Sequence, residues 1–446
     1  MKHREIDQVT RWYPTQFGII TGDDIFNHNY IDMYIHIPFC LGKCAFCPFN
    51  SKPINKENLD LYFQNLKAEI TMYANEPYFK YKTVRSLWIG GGTPSAVPFD
   101  HIKEILDLVT NSFDFSSDAE ITLETNLHDL SEDYIKLVSA SRINRLSIGV
   151  QSFTEKFLKM MGRTYTPEWI DSFFSFIRKY DLTISIDMMF RYPGQTLDDV
   201  QEEIDLIGKY SDKIDHITLY GLILFPKLGI FKRVASGQLP KQVKLSVYEE
   251  MCDMFNKQLS KYGYHQYTSH HFAKEGKENV YNNDRWGFPQ IECVSFGPGS
   301  FGQLNGFVYC NEHNTTDYYN KISQGQKPIQ MGKKINLLEQ ASRFLVLGTK
   351  CRRVDLKLFR ELTGIDPLVY YATEIAELLE DGLIEIDNDI LYVTDRGCTY
   401  IVDIGYRFQT ENNRPFPQPQ YTILDMFEGQ KDTFGSVVIE ADSDGE

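Results

Sequence analysis

The chain has 446 residues, 42% of them hydrophobic and 24% charged, which supplies a large core and excludes extended disorder over most of its length. Its 46 basic residues against 61 acidic ones give a net charge of −15, unsuited to nucleic acid or an anionic membrane surface. No apolar run is long enough for a membrane span and no apolar segment follows Met1, so no membrane association, no signal peptide and a cytoplasmic, reducing setting are expected.

In chain order, a polar arm (1–30) is followed by short β-branched and aromatic runs at 34–37, 86–89, 120–124, 145–150, 183–188 and 216–222. Amphipathic stretches of helical length lie between them, at 56–73, 100–109, 131–139, 167–179 and 197–210. This alternation predicts an α/β fold of parallel strands joined by right-handed crossovers over 31–235, which suits a partial or complete β/α barrel. Periodicity alone leaves a doubly wound open sheet as the alternative. An α/β extension (236–335) follows, with one long helix at 242–261 and a glycine loop from Gly297 to Gly302. Residues 336–405 read as three helices and a small hairpin around Asp387-Asn388-Asp389, a winged-helix-like module. The acidic hairpin argues for packing or a substrate lid rather than DNA binding. The last segment, 406–446, reads as an extended arm and an acidic tail.

Three of the eight cysteines, Cys40, Cys44 and Cys47, lie within one loop after the first strand. In a reducing setting such a cluster reads as a metal site rather than a disulfide framework. Three thiolates on a short loop reach three corners of an iron–sulfur cube from one side, and with no fourth cysteine nearby one iron stays open to a ligand. A Cys3His zinc site using His36 and a trio of core cysteines are the other readings. Pro38, Gly42 and Pro48 mark a loop rather than core, and no zinc-ribbon hairpin flanks it.

The loop Tyr34-Ile35-His36-Ile37-Pro38-Phe39-Cys40, with Cys44 and Cys47, resembles that of the radical S-adenosylmethionine (SAM) enzymes. The runs Gly90-Gly91-Gly92-Thr93-Pro94, Gly149-Val150-Gln151-Ser152-Phe153, Gly162-Arg163-Thr164-Tyr165-Thr166 and Tyr192-Pro193-Gly194-Gln195-Thr196 extend the resemblance. Together they are similar to the oxygen-independent coproporphyrinogen III dehydrogenase branch. That branch includes heme chaperones, heme-degrading methyltransferases and class C methylases and cyclopropanases. The resemblance spans about residues 31–400 and implies a partial (β/α)6 barrel at 31–235 followed by a small helical C-terminal domain. It implies a [4Fe-4S] cluster on Cys40, Cys44 and Cys47 and SAM on its open iron. Tyr34 and Phe46 would pack beside both. Gly91, Gly92 and Thr93 would bind SAM through backbone groups, and Glu124, Gln151, Arg163 and Asp187 fall at or just beyond the carboxyl ends of the predicted strands, where β/α barrels bind ligands. Ile223 and Phe301 match positions beside a second SAM. A flavodoxin- or ferredoxin-like donor would supply the electron that cleaves SAM to a 5′-deoxyadenosyl radical.

The chain departs from the branch at its substrate end. Phe190-Arg191-Tyr192-Pro193 stands where Tyr-Gly-Leu-Pro is common, and Phe225-Pro226-Lys227-Leu228 replaces Glu-Pro-Gly-Thr. Tyr267-Thr268-Ser269-His270-His271-Phe272-Ala273 replaces Tyr-Glu-Ile-Ser-Asn-Phe-Ala, and adjacent histidines on a strand are expected on opposite faces. Tyr281 stands where the heme chaperones carry the histidine of His-Asn-x-x-Tyr-Trp, which counts against heme ligation by that motif. The reading is therefore a radical SAM enzyme transferring a methyl or methylene group to a small-molecule substrate, with one or two SAM molecules. The alternatives are a tetrapyrrole-modifying radical SAM enzyme and a heme chaperone.

Overall fold

A computed structural model describes residues 29–47, 52–163, 165–226 and 228–410. The expected N-terminal arm up to residue 28, Pro48, Thr164, Lys227 and the tail from residue 411 lie outside the described residues. Six parallel strands, β1 (Tyr30–Ile37), β2 (Thr83–Gly91), β3 (Asp114–Asn126), β4 (Arg145–Gln151), β5 (Thr183–Phe190) and β6 (His216–Gly221), pair in sequential order. Sequential order is the mark of a barrel, whereas a doubly wound sheet reverses its strand order. The crossovers carry α1 (Lys56–Ala74), α2 (Phe99–Ser112), α3 (Glu132–Ser139), α4 (Glu155–Met161), α5 (Pro167–Phe176) and α6 (Leu197–Lys209). The expected helices are all present within a few residues. The sequence reading passes over α4, whose seven residues ending at left-handed Gly162 are too few to show a helical period.

Strand parity divides core from interior. Ile31, Met33, Ile35 and Ile37 of β1 are fully buried in the core under the helices, while Tyr34 and His36 turn inward to line a cavity. The same two-residue period sends Ile121 and Leu123 to the core but Glu124 inward, and Ile184 and Ile186 to the core but Asp187 inward.

After α7 (Gly229–Ala235) and α8 (Leu245–Leu259), the chain adds strands to both barrel edges. Strands β7 (His265–Gln266) and β8 (His271–Ala273) extend the β6 edge antiparallel. Helix α9 (Val280–Trp286) leads to β9 (Glu292–Phe296), which pairs parallel with β1. The strands β10 (Phe301–Leu304), β11 (Phe307–Asn311) and β12 (Ile329–Lys334) continue antiparallel beyond it, with α10 (Thr315–Ser323) between the last two. The long helix expected at 242–261 is thus α8 followed by a 3-10 turn at Ser260–Tyr262.

The glycine loop between β9 and β10 is tied to the barrel by Glu69 of α1. The buried carboxylate accepts from Gly297 N at 2.8 Å, Asn311 Nδ2 at 2.7 Å and Tyr318 OH at 2.5 Å. Burial outweighs these donors and pushes the carboxyl up from 4.5 to about 7. Because the unfolded chain loses this proton first, Glu69 makes stability fall as pH rises from about 4.5 to about 7 and adds no slope above that. The integrated effect is about 3 kcal/mol. Subtracting urea titrations of E69Q from those of the wild type across this range isolates it. Equal pH slopes for the two proteins would contradict the assignment.

The C-terminal elements are α11 (Leu337–Gly348), β13 (Arg353–Asp355), α12 (Leu356–Thr363), α13 (Pro367–Tyr370), α14 (Ala372–Glu380), β14 (Ile384–Asp387), β15 (Ile390–Val393), α15 (Asp395–Thr399) and α16 (Ile401–Arg407). They enclose their own core around Phe344, Leu345, Phe359 and Leu391, which Trp286 joins. The hairpin turns at left-handed Asn388 and Asp389, and β13 adds a third strand the sequence did not suggest.

Candidate functional site

The cysteine loop leaves β1 through Pro38. Lys52 N donates to the Pro38 carbonyl at 2.7 Å, and the short pair Phe39–Cys40 with Lys52–Pro53 closes the loop's base. Cys40, Cys44 and Cys47 are unlinked and half-buried, with Cys47 N bonded to Cys44 O at 3.3 Å. The Thr93 hydroxyl donates to Cys40 Sγ at 3.4 Å.

The Cys3His zinc alternative needs His36 beside the three thiols. A cube takes one iron per cysteine and asks for thiols spread along a loop, which is what this loop offers. His36 is turned elsewhere: its Nδ1 meets Tyr34 OH at 3.0 Å. Burial, with His313 second, holds the imidazole down to about 4, so it is neutral at pH 7.

The cavity, of about 550 Å³, reaches from this loop into the barrel. Tyr34, Phe46, Cys47, Gly91, Glu124, Gln151, Asp187, Ile223 and Phe301 all line it. Glu124 accepts from Trp88 Nε1 at 2.6 Å and Gly91 N at 2.9 Å, and Asp187 accepts from Ser147 Oγ at 3.2 Å. Gln151 ends β4 with φ 71°, its carbonyl accepting from Tyr192 OH at 2.9 Å. Phe301 arrives on the loop that Glu69 anchors.

The N–H groups of Gly91, Gly92 and Thr93 are already bonded, to Glu124 Oε2 at 2.9 Å, Ile37 O at 2.7 Å and Phe39 O at 2.7 Å. With these N–H groups taken, what the run can offer a ligand is carbonyl oxygen, which suits an ammonium rather than a carboxylate; the Thr93 carbonyl already accepts from Ala96 N at 3.0 Å. Arg163 follows α4, beyond the carboxyl end of β4, with its guanidinium 5.8 Å from the Phe46 ring. Gly92 packs against the Phe39 backbone, where a Cβ would come within 2.6 Å of the carbonyl. Gly91 has φ 120°, and a Cβ there would sit 2.8 Å from the His36 ring. G91A is therefore expected to lower Tm by several degrees, roughly 1–3 kcal/mol of strain, and to weaken SAM binding. Thermal unfolding and equilibrium dialysis check this, and an unchanged Tm would contradict it.

The histidine pair also departs from expectation. His270 lies in the bend before β8, outside the strand, so alternation does not separate it from His271, and both line the cavity. Their ring centroids are 4.5 Å apart. His271 stacks on Trp286 at 5.4 Å, and Ser269 Oγ meets His270 Nδ1 at 2.8 Å.

Several lining residues escape the sequence reading. Trp88 and Tyr281 stack near Tyr34, with ring centroids 5.4 Å apart for Trp88–Tyr281 and 6.4 Å for Tyr34–Tyr281. The parity of Trp88, in register with Tyr34, was the available signal. Arg191, Arg285 and Lys350 add cations, and Cys398 to Val402 of the C-terminal segment close one wall. Those contacts are made in three dimensions and leave no mark in local sequence.

Comparison with known proteins agrees with this geometry. The Radical SAM superfamily profile matches residues 34–207 and the HemN C-terminal domain profile residues 335–399. The heme chaperone HemW of Bacillus subtilis (strain 168) is 31% identical over 373 residues, covering 82% of this chain and 95% of that protein. Anaerobilin synthase of Escherichia coli O157:H7 is 27% identical, covering 82% and 80%. The oxygen-independent coproporphyrinogen III oxidase of Escherichia coli (strain K12) is 24% identical, covering 85% of each. The solved structure of coproporphyrinogen III oxidase (HemN) from Escherichia coli shares the fold, with a TM-score of 0.77 over 90% of this chain and 97% of that one at 21% identity. An unlinked three-cysteine loop at the mouth of a sequentially ordered β/α barrel, with a HemN-type C-terminal segment, places the chain in the radical SAM superfamily, in the HemN/HemW branch.

Proposed function

We propose that the protein is a radical SAM enzyme acting on a tetrapyrrole. The observation that carries this is the composition of the cavity: a cysteine loop and two carboxylates at the barrel strands, then aromatic walls (Tyr220, Tyr248, Trp286) with Arg191, Arg285 and Lys350. Aromatic faces with cations among them suit a flat macrocycle bearing anionic edges. Relatives named for heme, anaerobilin and coproporphyrinogen support a tetrapyrrole over methyl or methylene transfer to another small molecule.

Cys40, Cys44 and Cys47 would hold a [4Fe-4S] cluster, which together with SAM supplies a 5′-deoxyadenosyl radical. The carbonyls of Gly91, Gly92 and Thr93 and the Glu124 carboxylate would take the ammonium of SAM, and Asp187 and Gln151 its ribose hydroxyls. Tyr34 and Phe46 would shield the site from water, and Arg163 beside Phe46 would face the SAM carboxylate. Ile223 and Phe301, on the same cavity, would flank a second SAM. Leu41, Gly42 and Lys43 are exposed, so the cysteine loop presents a face to a flavodoxin- or ferredoxin-like donor. In anaerobically reconstituted protein, 5′-deoxyadenosine is expected to form from SAM and reductant, and to form faster with coproporphyrinogen III or reduced heme. Label from methyl-labelled SAM appearing in a product other than a tetrapyrrole would contradict the reading.

A second reading, a heme-binding chaperone, is favoured by His270 and His271 in the cavity wall and by the HemW relative. Its test is hemin titration: tight binding with a shifted Soret band and no 5′-deoxyadenosine would establish it over the first.

A further inference from the structure

Arg191 directly follows β5 with φ 61°, in the left-handed region where a side chain crowds its own backbone. Its neighbours hold it there. Gln242 Nε2 donates to the Arg191 carbonyl at 2.7 Å and to the Leu222 carbonyl at 2.8 Å. Leu222 N donates to Phe190 O at 2.8 Å, and Tyr192 N to Gln195 Oε1 at 3.1 Å. The turn suits glycine, yet it carries a long cationic side chain whose Cζ lies 4.8 Å from the Tyr248 ring centroid in the cavity wall. A strained, over-determined residue in a ligand cavity is a mark of function.

Charge in the cavity is divided by element. Its carboxylates, Glu124 and Asp187, come from β3 and β5, whereas Arg191, Arg285 and Lys350 come from segments beyond the carboxyl end of β5. The guanidinium fork matches a carboxylate in two parallel hydrogen bonds, and the Tyr248 face beneath it fixes its plane without competing for its N–H groups.

We propose that Arg191 is a specificity-determining residue that binds a side-chain carboxylate of the substrate, so that the cavity selects tetrapyrroles with ionised carboxylates. The inference rests on the tetrapyrrole reading and adds the group recognised. The test uses the full reconstituted chain with two probes, coproporphyrin III and its tetramethyl ester, whose binding is followed by fluorescence. Wild type is expected to prefer the acid by about tenfold or more. R191G, which suits the left-handed turn, keeps or raises Tm while losing that preference, and R191K keeps part of it. An unchanged preference in R191G overturns the assignment of Arg191 and leaves the tetrapyrrole reading standing. Loss of preference with a clear fall in Tm in both variants makes Arg191 a packing residue and also overturns it. Failure of the wild type to bind either probe overturns the tetrapyrrole reading and the inference with it.

Discussion

C47A is expected to reduce 5′-deoxyadenosine formation to background, with iron content falling well below about four per chain and little change in Tm. The three thiols sit half-buried on a loop outside the core, so removing one costs little packing. A cluster held by these thiols would lose the ligand of one iron. C310A makes the contrast. Cys310 is buried with Val308 and Ile335 behind Phe301 and does not itself line the cavity, so its loss is expected to cost about 1 kcal/mol of stability and leave SAM cleavage intact. Chromatography of anaerobic reactions with parallel iron assays reads both. Sustained cleavage by C47A would remove the basis for the cluster assignment.

E124A is expected to raise the KM for SAM by roughly ten- to a hundredfold, equivalent to about 1.5–3 kcal/mol for a charged hydrogen-bonding group. Glu124 fixes two donors at once, Trp88 Nε1 at 2.6 Å and Gly91 N at 2.9 Å, so its loss both removes a candidate ligand for the ammonium and frees the glycine run. E124Q keeps one acceptor and puts an amide N–H against one of those donors, so an intermediate KM is expected. Initial rates over a SAM series decide this, and a KM unchanged in E124A would contradict the role given to Glu124.

The barrel was legible because alternation is local. Ile31, Met33, Ile35 and Ile37 against Tyr34 and His36 show on paper which face is core and which is interior, and the cysteine spacing points to iron–sulfur chemistry before any coordinates. The order of the strands was not legible, because periodicity is the same in a barrel and a doubly wound sheet. Helix α4 was passed over because its seven residues have no readable period. The histidine pair was misjudged for a related reason: the alternation rule holds only inside a strand, and His270 is one residue short of it. Arg191 shows in sequence only as a departure from the glycine of Tyr-Gly-Leu-Pro; its meaning lies in a φ angle that the bonds of Gln242 and Gln195 hold in place. The C-terminal wall from Cys398 to Val402 belongs to the same class, a surface made only when a distant segment docks.

Mass analysis of the tetrapyrrole recovered after anaerobic turnover tests the account most directly. With SAM, a one-electron reductant and coproporphyrinogen III or heme, the account expects an altered tetrapyrrole accumulating in proportion to 5′-deoxyadenosine, with neither formed by C47A. Recovery of the tetrapyrrole unchanged while wild-type protein continues to make 5′-deoxyadenosine would contradict it.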